Sequence, residues 1–153
     1  MLTPLTQFIC DSCKELIEMP DDGWIEWESF SENGRQIDRN FRICHHSMRC
    51  QRLANHPNCS DLPLREVVGD NAYAFIYKHL DVGPYHSPKY QEPSIVDFRQ
   101  YTDLMRRLTL PYFEEARQWW NEASVDGYFS GENEILIYRP DNLKRMIEHY
   151  STG

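Results

Sequence analysis

The sequence predicts an α+β fold, in which an amino-terminal β-hairpin module at residues 1–59 packs on a mainly helical body at residues 60–153. An aromatic-rich segment followed by Asn33-Gly34 indicates a hairpin in the first third of the chain. Apolar residues recur every three to four positions through much of the remaining sequence, which is typical of amphipathic helices. Cysteine and histidine residues on both sides of the hairpin predict that a metal ion holds the module together.

Length and composition favour one compact unit. The 153 residues, 41% of them hydrophobic, are sufficient for a substantial core. The sequence has no apolar stretch of the roughly 20 residues that cross a bilayer. Its amino terminus lacks the basic and apolar regions of a signal peptide. We therefore expect a cytoplasmic protein that does not interact with a membrane.

The predicted hairpin has two strands. The first covers residues 24–30, which include three aromatic side chains, and Asn33-Gly34 supplies the positive φ angles of a type I′ turn. The second covers residues 37–44, where strict alternation predicts Arg39 on the same face as Phe41 and Ile43. A short helix is expected from Ser47 to about residue 54.

Two groups of metal-binding residue types flank this hairpin. Cys10 and Cys13 are separated by two residues, so both thiolates can reach one ion from a single tight turn. The second group, Cys44-His45-His46-x3-Cys50, follows the return strand. Zinc prefers thiolate and neutral imidazole ligands, and a Cys-x2-Cys pair in a reducing compartment favours metal over a disulfide. The sequence therefore predicts one Zn²⁺.

This arrangement resembles the treble-clef and zinc-ribbon group of zinc modules over roughly residues 7–55. In those modules the first ligand pair comes from the turn and the second from the hairpin end and the start of a helix. The resemblance implies the ligand set Cys10, Cys13, His46 and Cys50. His46 is preferred because its spacing to Cys50 suits a helix start, whereas His45 belongs to the Phe41 side of the strand.

The second pair departs from the Cys-x2-Cys pattern of that group, so other residues stay open as substitutes or as supports for a ligand. These are His45, Cys44 and Cys59. Cys44 also fits the description of a small buried hydrophobe. Four protein ligands close a zinc site, whereas a catalytic zinc keeps an open position, so we expect a structural ion.

The helical body is predicted from four periodic segments. They cover residues 60–80 with Ser60-Asp61 as the cap, 94–108 with Ser94 as the cap, 112–123 after Pro111, and 141–150 with Asp141 as the cap. Residues 134–139 alternate like a short strand. The segment 107–117, together with the cysteines and histidines, is similar to small bacterial and phage-associated zinc proteins, a resemblance that implies a metal and no particular activity.

Charge is distributed unevenly along the chain. The net charge is −8, which disfavours non-specific binding to nucleic acid over the whole surface. Residues 1–34 are strongly acidic, whereas residues 35–60 carry five arginines against one aspartate. Those arginines either pair with carboxylates across the hairpin or contact phosphates. They are Arg35, Arg39, Arg42, Arg49 and Arg52.

Three function classes follow from these patterns. We expect a non-enzymatic binding protein that contacts a protein partner, with Trp24 or Trp27 exposed for the purpose. The first alternative is a nucleic-acid-binding regulator that uses the arginines. The second is a metal-dependent nuclease with His45 as its base and Asn55, His56 or Asn58 completing the site. The common phosphate-loop, dinucleotide and nucleophile-elbow motifs are absent from the sequence.

Overall fold

The computed structural model describes residues 1–52, 56–84 and 92–152 and confirms the α+β class. The strands are β1 (Phe8–Ile9), β2 (Leu16–Ile17), β3 (Gly23–Glu32), β4 (Arg35–His45) and β5 (Cys59–Pro63). The helices are α1 (Ala72–Leu80), α2 (Phe98–Thr109), α3 (Phe113–Ala116), α4 (Trp120–Val125) and α5 (Pro140–Ser151). β1 pairs with β2, and a second antiparallel sheet has the order β4-β3-β5. Within the described residues, no helix has the length and apolar character needed to cross a membrane.

The predicted hairpin is confirmed, but its second strand contains a bulge. Asn33 and Gly34 adopt φ angles of 52° and 77°, as a type I′ turn requires. The register shifts between Glu26 and Glu28, and Asn40 in the facing strand has a φ of 59°. The extra residue places Asp38, instead of Arg39, on the buried side with Phe41. The prediction for Arg39 was therefore wrong.

The helix predicted from residue 60 is wrong at its start, because residues 59–63 form β5. This strand covers the second edge of β3, with Ile25 opposite Leu62 and Trp27 opposite Ser60. Short 3-10 turns at Leu64–Glu66 and Gly69–Asn71 then lead into α1, which begins at Ala72. Without β5, one edge of β3 would expose unpaired backbone groups, which is unfavourable. Pairing with β3 therefore outweighs the local helix-capping signal at Ser60-Asp61.

One hydrophobic cluster joins the strands to α1 and α2. Its fully buried members include Phe8, Ile25 and Ile43 from the strands and Leu108 from α2. The buried Tyr101 hydroxyl donates a hydrogen bond of 2.8 Å to the Ile76 carbonyl, which connects the two helices. The amino-terminal strands therefore share their core with the first part of the helical body.

A second hydrophobic cluster joins the last three helices. Its buried members are Phe113, Ala116, Ala123, Leu143, Met146 and Ile147. The continuous helix predicted for residues 112–123 is interrupted, since a 3-10 turn at Arg117–Trp119 separates α3 from α4. Residues 134–139 contain turns instead of the predicted strand. The helix at 98–109 is confirmed, with the Asp97 carboxylate as its cap in place of Ser94.

Candidate metal centre

The first pair of cysteines lies in the tight turn between β1 and β2. The Cys10 amide donates to the Glu15 carbonyl at 2.9 Å, and the Lys14 amide donates to the Cys10 carbonyl at 3.0 Å. Lys14 has a φ of 67°, which reverses the chain directly after Cys13. The turn packs against the end of β4, because the Asp11 amide donates to the Ile43 carbonyl at 2.8 Å.

The second half of the centre comes from the end of β4 and the turn that follows it. His45 is the last residue of β4, and the amide of Cys50 donates to the Ser47 carbonyl at 3.1 Å. The Ser12 hydroxyl donates to the Cys50 carbonyl at 2.5 Å, which connects the two halves. The helix predicted from Ser47 is replaced by turns over the described residues up to 52, and its end at residues 53–54 lies outside them.

Four side chains converge at this point. The ligand atoms of Cys10, Cys13, His45 and Cys50 all lie within 4.8 Å of one another. His45 Nδ1 is 3.4 Å from the Cys13 sulfur and 3.8 Å from the Cys50 sulfur. A tetrahedral site with ordinary zinc–sulfur and zinc–nitrogen bonds has ligand-to-ligand edges of about 3.6 to 3.8 Å. The donor set and its spacing therefore fit one metal ion.

The ring of His45 is oriented for metal binding by its second nitrogen. Nε2 lies 3.0 Å from the Leu16 carbonyl, an acceptor, so Nε2 carries the proton and donates it. In the neutral ring this leaves the lone pair on Nδ1, which faces the sulfurs. A backbone carbonyl that fixes the tautomer in this way is a common feature of histidine metal ligands.

The preference for His46 as a ligand is corrected by this geometry. The His46 ring is exposed and lies 4.7 Å from the ring of Trp24, on the other side of the strand end. The Cys10–Cys13 turn is hydrogen-bonded through Asp11 to the backbone of β4 at Ile43, two residues before His45, and both sulfurs lie near the His45 ring. The sequence pattern favours His46 by its spacing to Cys50, but it carries no signal for where the first turn docks.

The thiol groups of the cluster influence one another. Burial alone raises the pKa of Cys10, but the backbone amides of Cys13, His45 and Ser12 outweigh it and lower that pKa to about 6. The Glu15 amide acts to lower the pKa of Cys13, yet desolvation and the sulfurs of Cys10 and Cys50 leave it raised. Adjacent thiolates disfavour each other's ionisation, and a cation between them relieves that repulsion.

The other two cysteines lie outside the cluster. Cys44 is fully buried, and burial raises its pKa to about 12, so it stays a neutral thiol in the core. Cys59 begins β5 opposite Glu28, and burial raises its pKa as well. The free thiols of the described chain thus divide into three that converge on His45 and two that do not.

Three of the five arginines considered for phosphate binding are paired with carboxylates. Arg35 pairs with Glu92 at 3.3 Å, Arg39 with Glu28 at 3.1 Å, and Arg42 with Glu26. Glu26 is completely buried, and it also accepts from the backbone amide of Arg52 at 3.1 Å. Arg49 and Arg52 have exposed side chains, for which the described part of the chain provides no carboxylate partner.

An open groove of about 420 Å³ runs along the outer side of the cluster. Cys13, His45 and Cys50 form part of its wall. The charged residues that line it are Glu15, Glu18, Asp21, Asp22 and Arg49. The groove is therefore predominantly acidic, and a wall of the candidate metal centre faces it.

Comparisons of this chain with protein-family models, with curated proteins and with solved structures return no match. The fold and the candidate metal centre are consequently defined by the geometry of this chain alone.

Proposed function

We propose that this chain is a zinc-stabilised, non-enzymatic binding protein that acts through contacts with a protein partner. The observation that carries the proposal is the orientation of His45, whose Nε2 donates to the Leu16 carbonyl while Nδ1 faces three cysteine sulfurs. Four protein donors close a tetrahedral site, and a closed site serves structure instead of catalysis.

Zinc is the metal we assign to this centre. Three thiolates and one imidazole suit Zn²⁺, while hard cations such as Mg²⁺ and Ca²⁺ prefer oxygen ligands. The origin of the ligands, two from a tight turn and two from the hairpin end and the next turn, supports the assignment to the treble-clef and zinc-ribbon group. We place the protein in the reducing cytoplasm, where free thiols persist.

The groove beside the centre is the surface that we assign to the partner. Its acidic side chains, which include Glu15 and Glu18, favour a basic segment of another protein. Trp27 is not part of such a surface, because it is buried and stacked on Phe41 at a centroid distance of 5.5 Å. Trp24 is half-buried beside His46, which lines the groove.

The nucleic-acid alternative is less well supported. Arg35, Arg39 and Arg42 are engaged by carboxylates, and this leaves Arg49 and Arg52 as the two of the five arginines that have no carboxylate partner among the described residues. The nuclease alternative requires His45 as a base, but both of its ring nitrogens are already engaged, by Leu16 and by the sulfurs. Asn55, one of its proposed partners, lies outside the described residues.

Elemental analysis of the purified protein tests the metal. We expect one zinc per chain, lost in Cys10→Ser and Cys50→Ser and retained in Cys59→Ser, which is the matched control. A metal-free protein that stays folded would overturn the structural role.

Capture of partners from a lysate of the native cells, with quantitative mass spectrometry, tests the binding function. The charge reversals Glu15→Lys and Glu18→Lys should remove a partner that the control Glu122→Lys, on the exposed face of α4, retains. In parallel, binding of duplex and single-stranded oligonucleotides is measured by fluorescence anisotropy at low salt. Tight binding that falls steeply with salt, and less steeply in Arg49→Gln/Arg52→Gln, would favour the nucleic-acid alternative instead.

A further inference from the structure

Arg107 connects the helical body to the candidate metal centre. It lies in α2, and its side chain is only 4% exposed. The guanidinium donates to both carboxylate oxygens of Glu114, at 2.7 and 2.9 Å, and to the Asp11 carboxylate at 2.8 Å. It also donates to the Ile9 carbonyl at 3.2 Å. Such a bidentate, charge-assisted pair is strong and has a defined geometry.

Asp11 belongs to the turn that carries the first two cysteines. The same carboxylate oxygen that accepts from Arg107 also accepts from the Ile43 amide at 2.8 Å. Ile43 lies two residues before His45 in β4. Asp11 therefore holds the Cys10–Cys13 turn against the strand that delivers the histidine, and Arg107 holds Asp11.

Glu114 contacts the same region from the opposite side. It is buried in α3 and accepts from the Ile9 amide at 2.9 Å. Both backbone polar groups of Ile9, the residue directly before Cys10, are thus bound by the Arg107–Glu114 pair. The pair fixes the chain on the amino-terminal side of the first cysteine and, through Asp11, on its carboxyl-terminal side.

We propose that Arg107 and Glu114 are positioning residues for the metal centre, and that they couple metal binding to the docking of α3. The proposal rests on metal binding at Cys10, Cys13, His45 and Cys50. The hydrogen bonds of Arg107 and Glu114 orient the Cys10–Cys13 turn and so lower the free energy needed to assemble the metal site. Metal affinity therefore depends on the Glu114 carboxylate, which contacts the backbone of Ile9 and no ligand side chain. By linkage, metal binding stabilises the docked position of α3 to the same degree.

The coupling reaches the second hydrophobic cluster. α3 also carries Phe113 and Ala116, which are buried in that cluster against α5. Loss of the metal releases the Cys10–Cys13 turn and so weakens the ion pair between Asp11 and Arg107. Arg107 is then buried with Glu114 as its remaining close carboxylate partner in this network. The consequence is a looser contact between α3 and the strands.

The test compares metal affinity in Glu114→Gln, which keeps the shape of the side chain, with that in Glu122→Gln, an exposed control on α4. Dissociation constants are measured by competition with a chromogenic zinc chelator under conditions where circular dichroism shows folded protein. We expect Glu114→Gln to weaken zinc binding about tenfold, within the usual range for coupled sites, and the control to leave it unchanged. Arg107→Lys, which keeps the positive charge but loses the bidentate geometry, should have a similar effect and replaces Glu114→Gln if that variant does not fold.

A double-mutant cycle separates positioning from general destabilisation. In an Asp11→Asn background, the part of the path that runs through Asp11 is already weakened while the contacts with Ile9 remain, so Glu114→Gln should raise the dissociation constant by a smaller factor than in the wild type. An equal tenfold loss in both backgrounds would overturn the proposal, as would wild-type affinity in Glu114→Gln. A wild-type protein that binds no zinc would instead refute the proposed function, so the two failures are distinguishable.

Discussion

Replacing His45 tests the assignment of the fourth ligand most directly. His45→Ala removes one of the four donors, together with the hydrogen bond from Nε2 to Leu16. Loss of a group that merely supports a ligand commonly costs 10- to 100-fold in metal affinity. Loss of the ligand itself should cost at least 100-fold, or about 2.8 kcal/mol at 1.4 kcal/mol per factor of ten. In excess zinc, the free energy of unfolding should fall by a similar amount.

His46→Ala is the matched control, because it removes the neighbouring imidazole, whose ring lies outside the cluster and 4.7 Å from the ring of Trp24. We expect less than a threefold change in zinc affinity for this variant. Affinity is measured by chelator competition, and cobalt substitution provides a second readout, since the visible absorption of tetrahedral cobalt reports on the number of thiolate and imidazole ligands. Equal or greater loss of affinity in His46→Ala than in His45→Ala would refute the assignment.

Three further predictions concern residues away from the four ligands. Cys44→Ala and Cys59→Ala should each retain one zinc per chain in elemental analysis, because neither thiol belongs to the cluster; loss of zinc in either would contradict this. Tyr101→Phe should lower the free energy of unfolding in urea by about 1 kcal/mol, since it removes the buried hydrogen bond to Ile76; unchanged stability would show that this bond contributes nothing. Burial lowers the pKa of His79 in the folded state below its ordinary 6.5, so its contribution to stability is complete above pH 6.5 and is lost as the pH falls below that value. Between pH 7.5 and pH 5, the free energy of unfolding in urea should therefore fall less in His79→Gln than in the wild type. An equal fall in both proteins would contradict the lowered pKa of His79.

The sequence was most informative where a local signal determines a local structure. Asn33-Gly34 specified the type I′ turn, and Cys10-x2-Cys13 specified a tight turn with both sulfurs on one side. Cys50, predicted as a ligand in the first turn of a helix, does join the cluster, although it lies in a turn instead of a helix. These features depend on a few neighbouring residues, so no tertiary contact was needed to predict them.

The errors arose where tertiary packing decides the outcome. Residues 59–63 form a strand because the free edge of β3 requires a partner, although Ser60-Asp61 has the composition of a helix cap. His45 lies in the cluster in place of His46 because Asp11 holds the first turn against the backbone of β4 at Ile43, two residues before His45. The bulge at Asn40 had a weak signal in the sequence, since asparagine tolerates positive φ better than most residues.

The hairpin lies between the two halves of the candidate metal centre, so a bound ion closes a segment of 38 residues from Cys13 to Cys50. The four donors come together only in the folded chain, so the ion stabilises the folded state and holds the two ends of this segment together there. Because the entropy of loop closure changes only with the logarithm of length, ten residues inserted at the Asn33–Gly34 tip would raise its cost by only about 0.2 kcal/mol. The hairpin tip is therefore a position where this chain can accept inserted residues while the bound ion keeps the other end of the hairpin segment closed.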